Sequence, residues 1–250
     1  MVGKRLLLAT AGAVVAGAAG LASGLLGPDT ATVAGTPVTV VPIPALGAAA
    51  FFAAADADAI ARASAGVIVR RRGGAEIALV PGARRVVGES LLYLEPHPAA
   101  YVEAFDEHGA HMTVTQPTNA SFLSPVLLFR QRQRVGALDV PFDTFAIPAR
   151  HRVVRALYFT PRDLAQFNRA NADATQPALV LSVADDAGKP LGITLAAAGH
   201  DATVAGIRVR TTVGAYPVLA VASAPPAWAL IAGAVLFVLG LAWSVLPQGS

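Results

Sequence analysis

The sequence predicts a mainly β, sandwich-like exported body held between one N-terminal and one C-terminal transmembrane α-helix. Three observations predict it. Each end carries an uncharged apolar run of bilayer length. The stretch between them breaks into short β-branched runs punctuated by glycine, proline and aspartate. All 16 Asp/Glu, and all of the 19 Lys/Arg except Lys4 and Arg5, fall in that middle stretch.

The C-terminal run is Ala227–Leu246. A bilayer core of about 30 Å needs about 20 apolar residues at 1.5 Å per residue. Trp228 and Trp243 flank the run as membrane-interface anchors, since amphipathic rings favour the headgroup level. Pro225 and Pro226 suit a helix start, where the first N–H groups lack partners anyway. The N-terminal run is Leu6–Leu26. Its length favours an anchor over a cleaved secretory signal, and either reading leaves Lys4 and Arg5 cytoplasmic. Gly12, Ala16, Gly20 and Gly24 recur every four residues, a smooth stripe for close helix packing or an accident of an Ala/Gly-rich segment. The division is therefore 1–27 anchor, 28–226 exported body, and 227–250 C-terminal helix with a short tail. Both termini are expected in the cytoplasm and the body outside a bacterial cytoplasmic membrane.

Within the body the charges nearly balance. The sequence pI of about 9.7 thus does not announce a nucleic-acid binder. No cysteine is present. That excludes thiol–disulfide exchange, Cys-ligated metal and covalent haem attachment through C-x-x-C-H.

Element by element, Thr30–Pro44 reads as extended chain broken by prolines rather than a third span. Ala45–Ala63 reads as a helix on its alanine content. Gly73-Gly74 joins two strands in a hairpin, and Pro81-Gly82 makes a turn. Tyr101–Phe105 and Ala110–Gln116 read as strands joined by an Asp106–Gly109 turn. Leu179–Val183 and Leu191–Ala197 repeat that pattern around Asp185–Lys189. Thr160, Pro161 and Asp163 signal a short helix with its own cap. Ile207–Val213 and Val218–Ala222 read as two strands, the second running almost directly into the last apolar run.

Candidate sites are few. His108 and His111 form H-x-x-H, a spacing for haem or metal contact, but they straddle a turn and no further ligands complete a set. His97 lies in a proline-bounded "EPHP", read as a surface loop. Arginines gather between Arg130 and Arg162. In "RQRQR", Arg130, Arg132 and Arg134 would share one strand face, suited to a phosphate, a propionate or an acidic partner. G-x-S-x-G, Walker and H-E-x-x-H motifs are absent, so no enzyme is expected.

Two longer stretches carry a family likeness. "AEIALVPGARRVVGESLLYLEPHPAAYVEAFDEHGAHMTVTQPTNASF" joins a Pro-Gly turn, strands, a D-x-x-G turn and a polar segment. "VAGIRVRTTVGAYPVLAVASAPPAWALIAGAVLFVLGLAWSVLP" runs a hairpin and strand into the final apolar run. In this order of elements the chain resembles a short member of the ResB-like family of system II cytochrome c biogenesis. The resemblance implies an accessory role with a ResC/CcsA-type integral membrane partner, which presents haem to apocytochrome c. Haem would then come through the partner, with no cofactor assigned to this chain. The chain departs from the family in having at most one helix before the body and no intramembrane histidine. Two rival readings are a scaffold subunit of another respiratory or envelope complex, and a ligand-binding module whose mark would be an apolar cavity.

Overall fold

A computed structural model describes residues 31–35, 39–116, 121–122, 125–167 and 175–224, together with 231, 235 and 238. The described protein is mainly β, in three antiparallel sheets.

Its spine is a pair of long strands, β7 (Ser90–Phe105) and β17 (Ile207–Ser223), paired without a register break from Ser90–Ser223 to Phe105–Arg208. At about 3.4 Å per residue this ribbon is about 50 Å long. The two strands predicted around Gly214 are thus one. Prolines survive in its middle, where Pro96 faces Pro217 and Pro98 faces Ala215. The strands outside the ribbon stop on either side of that waist, so no outer ladder there calls on those prolines for an N–H donor. Above the waist, β1 (Ala31–Val33) joins β17 at Leu219–Val221 and β6 (Arg84–Val87) joins β7 at Ser90–Tyr93. Below it, β16 (Asp201–Val204) joins β17 at Ile207–Arg210, while β10 (Val126–Leu127) meets β7 at Ala100–Tyr101.

The second sheet is ordered β15 (Pro190–Ala197), β14 (Ala178–Asp185), β13 (Arg152–Phe159), β12 (Leu138–Ile147), β8 (Val114–Thr115), β9 (Ser121–Phe122). In it β11 (Gln131–Val135) also pairs with β12. It closes one core against the lower ribbon. Phe145, Val154 and Leu181 meet Val102, Ala104 and Val209, all at most 1% exposed. The third sheet is β2 (Val40–Ile43), β3 (Ala48–Phe52), β4 (Val67–Arg71) and β5 (Glu76–Leu79). With helix α1 (Ala57–Arg62) it forms a second core on the upper ribbon, from Phe52, Ile60 and Val69 to Leu92 and Leu219. Helix α2 (Pro161–Phe167) contributes Leu164 to a small third cluster around Leu157 and Phe159.

The glycine hairpin and the Pro81-Gly82 turn form where expected, between β4 and β5 and between β5 and β6. So does α2. The Thr160 hydroxyl accepts from the Asp163 amide at 3.2 Å, and the Asp163 carboxylate accepts from the Thr160 amide at 3.0 Å. The expected helix Ala45–Ala63 does not hold. A 3-10 turn, Pro44–Leu46, ends on left-handed Gly47, and the chain reverses into β3. Pairing with β2 and β4 on both sides buries Ala50 and Phe52, which outweighs alanine's helix preference. The helix waits for Asp56, whose carboxylate accepts from the Ala59 amide at 2.7 Å.

The expected hairpin at Asp106–Gly109 is also only partly formed. The Met112 amide donates to the Ala104 carbonyl and a bridge joins Phe105 to His111, but the chain then leaves the ribbon and joins the second sheet as β8. This crossing ties the two sheets together. Among the described residues no helix is long and apolar enough to cross a membrane. The runs 6–26 and 227–246, with Gly12, Ala16, Gly20, Gly24, Trp228 and Trp243, lie outside the described residues, apart from 231, 235 and 238. Those three, Ile231, Val235 and Val238, are helical and exposed.

Candidate functional site

The waist of the ribbon opens a cleft of about 320 Å³. Just past β1, Ala34 and Gly35 line it. Leu128, Phe129 and Arg130 line it as the chain passes from β10 to β11. The ribbon adds His97, Tyr216 and Val218 to the lining. Gly35 is required there, because a Cβ would overlap the Phe52 ring.

Phe129 is the unusual residue of the wall. It is 6% exposed, with its ring 5.3 Å from that of Tyr158, yet its φ is +47°. A bulky residue pays for left-handed backbone, about 1–2 kcal/mol. The next residue, Arg130, also lines the cleft, and its guanidinium donates to the Gly35 carbonyl at 2.8 Å. Arg132 also lines the cleft, but its guanidinium is paired with Asp139 at 2.6 Å. Arg134 lies outside the lining and donates to the Gly136 carbonyl at 3.3 Å. The single arginine face expected of "RQRQR" is therefore divided. The strand begins only at Gln131, so alternation relates Arg132 to Arg134, whereas Arg130 reaches the cleft from the preceding turn.

Among the described residues no carboxylate pairs with Arg130, and no acidic side chain lines the cleft. Tyr216 is 2% exposed, and its hydroxyl donates to the Ala53 carbonyl at 3.4 Å. Burial pushes that phenol up to about 12, against the opposing pull of Arg130. It stays a neutral hydroxyl at every physiological pH. The cleft thus offers one uncompensated guanidinium, an exposed imidazole and apolar walls. That composition suits an anion with an apolar body; among the described lining residues no hydrogen bond joins a nucleophilic hydroxyl to a base.

His97 is not in a loop. It sits mid-strand in β7 opposite Tyr216, exposed at the cleft. His108 and His111 are elsewhere. The His108 side chain is 88% exposed, and the His111 ring lies 4.4 Å from that of Phe105. No cluster of three or more His, Cys, Asp or Glu that could hold a metal occurs among the described residues. Tyr216, Gly35 and Phe129 were not singled out in the sequence. The only signal for Tyr216 was a tyrosine inside an apolar run beside a proline, and nothing local marks the other two.

No protein-family model matches the chain, and neither does any curated protein or solved structure compared with it. The ResB-like resemblance rests on the two quoted stretches alone.

Proposed function

We propose that this protein is a membrane-held scaffold that presents a β body on the extracytoplasmic side, in the manner of an accessory subunit. One observation carries the reading. β1 runs antiparallel to the end of β17, so Ala31 lies beside Val221, and the Ala224 amide donates to the Glu89 carbonyl at 2.7 Å. The chain therefore enters and leaves the body at one end of the ribbon, where two membrane segments would have to meet it. Ile231, Val235 and Val238, spaced by four and three in the sequence, are each helical, apolar and exposed. A long strand continued with hardly any linker would hold the body at a fixed height over the bilayer.

The specific setting is cytochrome c assembly, in which the body supports a ResC/CcsA-type partner as it presents haem to apocytochrome c. Sequence resemblance supports that setting, and the geometry supports only the tethered scaffold. The rival setting, another respiratory or envelope complex, uses the same tether. A mild-detergent pull-down of the tagged chain, with mass spectrometry and a haem spectrum, separates them. A ResC/CcsA-type protein with b-type haem in the eluate is the expected result. A different complex without that protein removes the assembly role and keeps the scaffold. Recovery of the chain from the soluble fraction removes both.

A further inference from the structure

We infer that the waist cleft binds a small anionic amphiphile, with a carboxylate or phosphate head on Arg130 and an alkyl body along Leu128, Phe129 and Val218. The inference concerns the body alone and does not rest on the membrane reading.

Four features of the cleft converge on this ligand class. Its 320 Å³ lies at the lower end of the range, about 300–1,000 Å³, in which pockets hold small molecules. Its walls are chiefly apolar, so a bare inorganic anion would leave most of the contact surface unused. Arg130 is fixed by a backbone carbonyl rather than a carboxylate, which leaves its remaining N–H donors and full charge for an incoming anion. The residue before it, Phe129, holds a costly left-handed backbone conformation in the lining itself. Strain of that kind persists where the surroundings over-determine it, often at ligand clamps. Arg132 lies close by but is neutralised by Asp139, so the head is expected to be singly anchored.

The test is calorimetric titration of the full chain in the state in which it purifies: in plain buffer if it is recovered from the soluble fraction, in phosphatidylcholine nanodiscs with empty nanodiscs subtracted if it is recovered from membranes. The probes are octanoate, octyl phosphate, 1-octanol and inorganic phosphate. One site for octanoate or octyl phosphate is expected. Octanol and inorganic phosphate should each bind at least about tenfold more weakly, as loss of one charged hydrogen bond or of the apolar contact implies. A preference for octanoate points to a fatty-acid source, and a preference for octyl phosphate to a phospholipid-type head. Arg130→Gln should cost the anionic probes about tenfold and lower the thermal midpoint only slightly, as loss of one hydrogen bond to the Gly35 carbonyl implies. Arg132→Gln should cost much less. Equal binding of octanol and octanoate, or no effect of Arg130→Gln, would overturn the proposal. So would binding of inorganic phosphate alone. None of these results bears on the pull-down, and failure of the pull-down leaves this titration meaningful.

Discussion

Two aspartates show how one residue type sets local geometry. The Asp106 carboxylate accepts from the amides of His108 and Ala110, both at 2.9 Å. That of Asp185 accepts from Ala187 at 3.1 Å and Lys189 at 2.8 Å. Each turn then places a glycine at positive φ, +84° for Gly109 and +81° for Gly188. The repeated strand–acidic turn–strand pattern is thus the same turn chemistry used twice. Backbone donation from Ala110 holds the Asp106 carboxyl below the ordinary carboxylate range, and the Arg210 hydrogen bond does the same for Asp201. A depressed folded value means the stabilisation is present at neutral pH, above the unfolded pKa. It is lost as pH falls through the lower folded value. Asp106→Asn and Asp201→Asn should therefore flatten the acid limb of a stability-versus-pH curve and change little in its slope above pH 6. Gly214 gives a sharper expectation. A Cβ there would fall on the Ile60 carbonyl of α1. Gly214→Ala should cost about 1–3 kcal/mol, read from denaturant unfolding, because backbone must move to admit it.

At the scale of elements, legibility followed locality. Turns and caps decided within five residues were readable: the glycine hairpin, the Asp185 turn and the Thr160 cap. Elements whose identity depends on partners were not. Alanine in Ala48–Phe52 says helix to its neighbours in sequence, and only pairing with β2 and β4 makes it a central strand. Ile207–Val213 and Val218–Ala222 read as two strands, but pairing with β7 runs unbroken between them and makes them one. The cleft was illegible for the same reason. It joins Gly35, His97, Arg130 and Tyr216, which lie far apart in the chain, and only Arg130 among them was chosen for its chemistry. The pairing of β1 with β17 is testable directly. Facing Cα atoms in antiparallel strands lie about 4.5–5.5 Å apart, within disulfide range. In a chain without cysteine, Ala31→Cys with Val221→Cys should form one internal crosslink. It should migrate faster on a non-reducing gel and stabilise the body by about 2–4 kcal/mol. No crosslink under oxidising conditions would place the chain's entry elsewhere.

For the whole molecule, one ribbon shared by two cores explains why a cysteine-free body of this size holds together. Neither core can lose its half of β7 and β17 without exposing the other. The same ribbon brings both ends of the body to one place, and that is where the membrane reading is decided. The most direct measurement uses the absence of native cysteine. Single-cysteine variants Ile193→Cys, at a position 70% exposed on the body, and Ser250→Cys, at the C-terminal tail, are expressed separately. Intact spheroplasts are then treated with a membrane-impermeant maleimide. The account predicts that Ile193→Cys labels in intact spheroplasts and that Ser250→Cys labels only after the membrane is opened. Equal labelling of both in intact spheroplasts, or protection of both until lysis, would contradict it.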